Sequence, residues 1–376
     1  MSIEKFLKSI KVKQKIWETD DTCTFVFDVG AQGNLFTSYD PGQFITFFIE
    51  LNGGTVSRSY SFSSSPGTDT EPSVTVKRVD QGKMSNFLLD NIVEGDTIKA
   101  SPPAGHFYKP ERINEGTKGL MLFGAGSGIT PLMSIVKNTL KENPNVPVIL
   151  IDCNRTEKDI IFKQTFDKLQ SEFPQFSVKH YLSRSPESQN KRLTGPDIKQ
   201  EYLEFLKAHA LESSTVDIYM CGPEQFMADI EETLMGAGHP QDHIFKESFV
   251  TTTHVDLATL NETSPNEGPQ VFIEYVPDDF NVVENKVITA LIEGDEVSID
   301  NGGEDNVLEA LLNAGEAPPF SCMAGSCSAC MCKLISGKIL QRDIGILSEA
   351  EVASGKFLSC QSVGVTEKAK FEYIDE

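Results

Sequence analysis

Cys322, Cys327 and Cys330 follow one another as C-x4-C-x2-C, and Cys360 stands alone further along the chain. Four thiolates in that pattern hold the two irons of a [2Fe–2S] cluster. The residues between them (Ala324, Gly325, Ser326, Ser328 and Ala329) are small, as a loop needs when backbone N–H groups must face charged sulfurs. A four-cysteine zinc site is the competing chemistry, but it is built from two short C-x2–4-C knuckles, and here the fourth cysteine has no neighbour. Cys332 adjoins the loop as C-x-C and reads as a buried, inert thiol. Such a cluster takes up one electron at a time and breaks no bond. The rest of the chain should therefore contain what supplies electrons.

Four further stretches could do so. Arg58-Ser59-Tyr60-Ser61 combines a phosphate-binding guanidinium, an aromatic ring for a planar ligand and a hydroxyl for a ring nitrogen. Gly82-Lys83-Met84-Ser85 precedes the apolar run Phe87-Leu88-Leu89; Ser85 is expected to cap that helix, whose N-terminus suits a pyrophosphate. Gly124-Ala125-Gly126-Ser127-Gly128-Ile129-Thr130-Pro131 joins a strand to a helix expected from about residue 131, with Pro131 near its first position. Its G-x-G-x-G spacing is neither the G-x-G-x-x-G of dinucleotide folds nor a P-loop. Cys221-Gly222-Pro223 forms a second short turn after another strand, at the edge where parallel sheets bind ligands. His239 and His243 are four apart, but Pro240 lies between them and no H-E-x-x-H occurs, so they are not read as metal ligands.

Residues 1–112 are strand-rich, with Thr22–Val29, Gln43–Glu50 and Val74–Val79 separated by Asp40-Pro41-Gly42 and other turns, which implies an antiparallel barrel. Residues 113–250 alternate strand and helix, with strands at Leu120–Phe123, Val146–Cys153 and Val216–Met220, which implies a parallel sheet covered on both faces. Residues 251–285 are polar and broken and read as a linker, although Val271–Val276 alternates enough for an edge strand. Residues 286–376 begin with a hairpin, continue through a helical face at Val307, Leu308, Leu311 and Leu312, and carry the cysteine loop. Ser348 and Glu351 form a capping box.

Several classes are excluded by composition. The 376 residues exceed one hydrophobic core, and no apolar run reaches the ~18 residues of a membrane span. A net charge of −22 opposes nucleic acid and anionic lipid. Eight cysteines are too few for a disulfide scaffold at this length. Cys23, Cys153, Cys221 and Cys332 therefore suit a reducing cytoplasm. Residues 286–376 hold 15 acidic and 7 basic side chains, a surplus that could steer toward a basic partner or serve solubility alone.

Taken in order, the motifs R-x-Y-S, G-x-x-S, G-x-G-x-G-[IV]-T-P, C-G-P and C-x4-C-x2-C…C resemble the ferredoxin–NADP reductase superfamily with a plant-type ferredoxin domain fused at the C-terminus. The likeness spans essentially the whole chain. Asn154-Arg155-Thr156, Ala104-Gly105-His106-Phe107 and Leu358-Ser359-Cys360-Gln361 are similar to the reductase components that serve phenylacetyl-CoA epoxidase and related multicomponent oxygenases. The resemblance implies a multidomain fold: an FAD barrel, an α/β NAD(P)H domain and a β-grasp [2Fe–2S] domain.

It also implies roles. Arg58 would hold a flavin phosphate, Tyr60 the ribityl chain and ring face, and Ser61 the ring near N5. Gly82 and Ser85 would hold the FAD pyrophosphate, with Ser59, Lys77 and Met84 in the same set. FMN is the alternative flavin, disfavoured by the Gly82–Ser85 turn. Gly126, Gly128, Thr130 and Pro131 would line the nicotinamide nucleotide, Cys221-Gly222-Pro223 would lie near the nicotinamide, and Phe249 would lie against the flavin or in the core. Arg155, Ser183 and Arg184 would contact a 2′-phosphate, favouring NADPH over NADH. Cys322, Cys327, Cys330 and Cys360 would hold the cluster. The implied activity is NAD(P)H oxidation with single electrons passed to a separate oxygenase or epoxidase. A reductase for a hybrid-cluster protein, or a non-catalytic carrier, would share these features.

Overall fold

The computed structural model describes residues 7–28, 38–51, 54–185, 192–247, 249, 270–274, 286–292, 294–301, 306–320, 323, 325, 328–342, 347–364 and 368–374. Two compact units are present, Ser9–Val250 and the remainder of the chain.

The first unit opens with six strands: β1 (Lys8–Thr19), β2 (Thr22–Asp28), β3 (Phe44–Leu51), β4 (Gly54–Ser61), β5 (Ser73–Lys77) and β6 (Thr97–Ala100). Their order is β4-β3-β6-β1-β2-β5. The β1–β2, β2–β5, β3–β4 and β3–β6 pairings are antiparallel. The outer strands meet where Phe62 bridges Val74 and the Ser63 N–H donates to the Ser73 carbonyl at 2.9 Å. That contact curls the sheet around Ile10, Phe25, Phe27, Ile45, Phe47 and Phe62, all fully buried. Each such side chain contributes about 1.5–3 kcal/mol through removal from water. Helix α1 (Lys83–Asn91) follows β5 and seats Met84, Leu88 and Leu89 in the same core.

Helix α2 (Glu111–Glu115) leads into the parallel sheet: β7 (Gly119–Ala125), α3 (Ile129–Glu142), β8 (Val148–Asn154), α4 (Lys163–Glu172), β9 (Phe176–Leu182), α5 (Gly195–His209), β10 (Val216–Cys221), α6 (Glu224–Gly236) and β11 (Ile244–Glu247). The order is β11-β10-β7-β8-β9 with every pairing parallel. Alternation along β7 assigns the two faces. Leu120 and Leu122 meet Leu132, Met133 and Val136 of α3, whereas Met121 and Phe123 meet Ile198, Tyr202 and Ile230 of α5 and α6. Doubly covered strands of this kind are apolar on both sides.

In the second unit β12 (Gln270–Glu274), β13 (Lys286–Ile292), β14 (Asp295–Asn301), α7 (Val307–Asn313), β15 (Met331–Ser336), β16 (Lys338–Arg342), α8 (Glu349–Ala353), β17 (Lys356–Leu358), β18 (Ser362–Gly364) and β19 (Lys368–Tyr373) form two sheets. One is mixed, β14-β13-β19-β15-β17, and the other is β12-β16-β18. Val307 and Leu311 of α7 pack on Ile288, Leu334 and Phe371. Asn306 caps α7 by accepting from Glu309 N–H, and Ser348 and Glu351 form the expected capping box. Within the stretch read as a linker, Gln270–Glu274 pairs in parallel with β16; most of that stretch lies outside the described residues. Among those described, no helix is long and apolar enough to cross a membrane.

Candidate functional site

Strand β4 carries the first motif to the barrel wall. Tyr60 is half-buried with its ring 5.5 Å from that of Phe47, and the Arg58 Nη1 donates to the Ser57 carbonyl. Ser59 exchanges a hydrogen bond with Thr46 at 2.9 Å. Helix α1 departs from expectation at its start. Its N-cap is Gly82 and no side chain caps it; the Ser85 Oγ instead accepts from Val79 N–H at 3.2 Å. A Cβ on Gly82 would stand 2.7 Å from that Oγ, so glycine is needed where a capping side chain would otherwise sit. The first-turn N–H groups are left for another acceptor, which fits a phosphate. Lys77 is less open to one, because both Asp21 carboxylate oxygens hold its Nζ at 2.7 and 2.8 Å.

The nucleotide edge is assembled from two turns in contact. Residues Gly126–Gly128 form a 3-10 turn, so α3 begins at Ile129 and Pro131 occupies its third position, not its first. Thr130 Oγ1 folds back to the Ser127 carbonyl at 3.0 Å. A Cβ on Gly128 would lie 2.1 Å from the Cys221 carbonyl oxygen, so only glycine lets this turn meet Cys221-Gly222-Pro223. Burial pushes the Cys221 thiol well up, with the Glu247 charge adding to it, and it stays neutral. Past the ends of β8 and β9 the ladder continues: Ser183 N–H donates to Asn154 O at 3.0 Å and Arg184 N–H to Arg155 O at 2.8 Å. Arg155 and Arg184 thus project from neighbouring backbone positions, and both are exposed.

Glu247 belongs to the site although no motif marks it. It ends β11 directly beside Cys221 of β10, and Ser61 Oγ donates to its Oε2 at 3.4 Å. Desolvation pushes its carboxyl up to about 8, against the lowering effect of the Ser61 hydrogen bond. A lone glutamate at a strand end has no periodic signature; the only signal nearby is Phe249, two residues on. Phe249 is 43% exposed, so it is not a core aromatic.

Barrel and nucleotide sheet are anchored through α3. Ser134 Oγ donates to the Ser64 carbonyl at 2.6 Å, and Lys137 Nζ reaches both Asp69 carboxylate oxygens at 3.0 and 3.1 Å and the Ser63 carbonyl at 3.3 Å. The helix that starts at the glycine turn is therefore tied to the segment that follows Ser61.

In the second unit, Cys330 precedes β15 and Cys360 follows β17. Pairing of Met331 with Leu358 brings Cys330 opposite Ser359 and so next to Cys360. Their sulfurs are 3.2 Å apart and almost fully buried, too distant for the ~2.05 Å of a disulfide. Ser359 N–H and Oγ both donate to the Cys330 carbonyl, at 3.1 and 3.2 Å. Met323, Gly325 and Ser328 have positive φ of 56°, 78° and 55°, a backbone that departs from helix and strand at each of these positions. These features fit a cluster held by thiolates. Cys322 and Cys327 lie outside the described residues. Cys332 is fully buried, its Sγ donating to the Cys330 carbonyl at 3.6 Å.

Comparison with known proteins agrees with this geometry. Residues 9–108 match the oxidoreductase FAD-binding domain, 122–232 the oxidoreductase NAD-binding domain and 290–363 the 2Fe-2S iron-sulfur cluster binding domain. The chain is 31% identical to the ferredoxin reductase component of 3-ketosteroid-9-alpha-monooxygenase from Rhodococcus rhodochrous, over 97% of this chain and 96% of that one. It is 30% identical to one of the subunits of the 1,2-phenylacetyl-CoA epoxidase of Escherichia coli, over 95% of each. The solved structure of phthalate dioxygenase reductase superposes over 98% of both chains with a TM-score of 0.66 at 22% identity, a likeness of fold.

Proposed function

Because the chain belongs to the family of FAD-, NAD- and [2Fe–2S]-dependent reductase components of multicomponent oxygenases, we propose that it oxidises NADPH in the cytoplasm and serves a terminal oxygenase of the phenylacetyl-CoA epoxidase kind. Bound FAD would supply what no side chain can, the conversion of a two-electron hydride donation into single-electron steps. What the protein contributes is placement.

Arg58, Ser59 and the open N-terminus of α1 at Gly82, Met84 and Ser85 hold the flavin phosphates, and Tyr60 faces the ring. Phe249, exposed at the end of the unit, covers the ring when the nicotinamide is absent. Gly126, Gly128, Thr130 and Pro131 receive the nucleotide, and Arg155, Ser183 and Arg184 take its 2′-phosphate. Cys221-Gly222-Pro223 seats the nicotinamide beside Ser61, whose Oγ donates to Glu247 Oε2.

The observation that supports this reading is that Glu247 pairs with Cys221 and accepts from Ser61, so residues of the two proposed motifs meet at one carboxyl. The test is an anaerobic titration of the purified protein with NADPH, followed by visible spectroscopy. Loss of flavin bands followed by bleaching of cluster absorbance supports the assignment. A colourless protein, or a flavin that NADPH leaves oxidised, refutes it.

A further inference from the structure

Gln361 occupies a place that none of the assigned roles explains. Its Nε2 lies 2.9 Å from the Cys360 carbonyl, 3.2 Å from the Met323 carbonyl and 3.7 Å from Cys360 Sγ. One side-chain amide therefore reaches the last cysteine ligand and the backbone of the distant loop that carries Cys322. We propose that Gln361 is a positioning residue that sets the reduction potential of the cluster, by donating an N–H···S hydrogen bond to the Cys360 thiolate while tying it to Met323. This rests on the reading of the cysteines as cluster ligands.

The direction follows from charge. Reduction adds one electron to the iron–sulfur group and concentrates negative charge on its sulfurs. A donor held against one sulfur stabilises the reduced form more than the oxidised form, so it raises the potential. Nε2 has two N–H groups for these three acceptors: one serves the Met323 carbonyl and the other is shared between the carbonyl and the Sγ of Cys360, which fixes the amide's orientation. Gln361 is half-buried, which limits water as a substitute donor.

The experiment compares the holoenzyme with Q361L and Q361E in an anaerobic redox titration, the reduced cluster being followed by EPR and the flavin by absorbance. Q361L removes the donor and should make the one-electron reduction about tenfold less favourable, a shift of about 59 mV to lower potential. Q361E keeps the shape but places a negative oxygen against the sulfur, and should lower the potential further. The flavin midpoint should stay where it is in both. Unchanged cluster midpoints at wild-type iron content overturn the proposal. So does loss of the cluster in both variants, which would make Gln361 a structural tie only. A wild-type protein that itself holds no cluster defeats the functional reading instead, a distinct outcome.

Discussion

Ser61 and Glu247 stand 186 positions apart, yet the Ser61 hydroxyl donates to Glu247 Oε2 across 3.4 Å. One residue ends a barrel strand and the other ends the last strand of the nucleotide sheet. The contact puts a carboxyl behind the hydroxyl proposed to face the flavin. Protonated, that carboxyl adds no charge there; ionised, it would oppose the arrival of a hydride's negative charge.

Glu247 should therefore impose a pH dependence on flavin reduction. Its carboxyl is pushed from 4.5 to about 8 by desolvation, so it is protonated at neutral pH and loses that proton as the pH rises. Stopped-flow reduction by NADPH should slow through about pH 8, and E247Q should lack that inflection. The same shift bears on stability. Between about 4.5 and 8 the folded state binds a proton that the unfolded chain has lost, so this group's contribution weakens as pH rises across that window. The difference in melting temperature between wild type and E247Q should change sign or size across it; a constant difference would contradict the burial argument.

Lys137 and Asp69 should govern alignment more than binding. Their ion pair ties α3 to the barrel, with the lysine side chain only 16% exposed. K137M should lower the hydride-transfer rate about tenfold or more while KM for NADPH changes little, since a misplacement of ~1 Å can cost ~100-fold. D69N should have a similar effect, and the double variant should lose no more than either alone. K137R should recover much of the rate. Full additivity of the two single losses would show that the pair does not act as a unit.

Gly128→Ala should separate nucleotide binding from the other functions. The added Cβ would sit 2.1 Å from the Cys221 carbonyl and must push the two turns apart. The variant should retain its flavin and cluster content yet lose at least about tenfold in kcat/KM for NADPH, about 1.4 kcal/mol. Wild-type kcat/KM in this variant would mean that the turns are not part of the nucleotide site.

Arg184→Ala should weaken NADPH selectively. One charge-assisted hydrogen bond to a phosphate contributes about 1.5–3 kcal/mol, so kcat/KM for NADPH should fall about 10–100-fold while the value for NADH holds. Equal losses with both nucleotides would remove Arg184 from the 2′-phosphate site.

Elements whose chemistry is local are legible in the chain. The strand starts at Thr22 and Val216, the hairpin around Gly294 and the Ser348–Glu351 box all depend on residues close to one another in the chain. Helix starts are less legible. Ser85 has the residue type of a cap, but the space beside Gly82 is filled by that same hydroxyl as it accepts from Val79. Pro131 suits a first helical position, whereas the preceding glycines wind into a 3-10 turn and move the start back to Ile129. Nothing local to Lys77 reveals that Asp21, 56 positions away, holds it.

From the order of its residues alone, this protein declared its three cofactor domains and the spacing of the four cysteines proposed as cluster ligands. Ligand spacing and glycine-rich turns are constraints on contiguous backbone, and contiguous backbone is what a sequence displays. The packing of strands decided the rest: that Glu247 sits behind Ser61, that Gly128 abuts Cys221, that Lys137 locks one helix to the barrel, and that Gln361 reaches both Cys360 and Met323. Most of these are pairs of ordinary residues far apart in the chain, made chemically specific only by burial and distance.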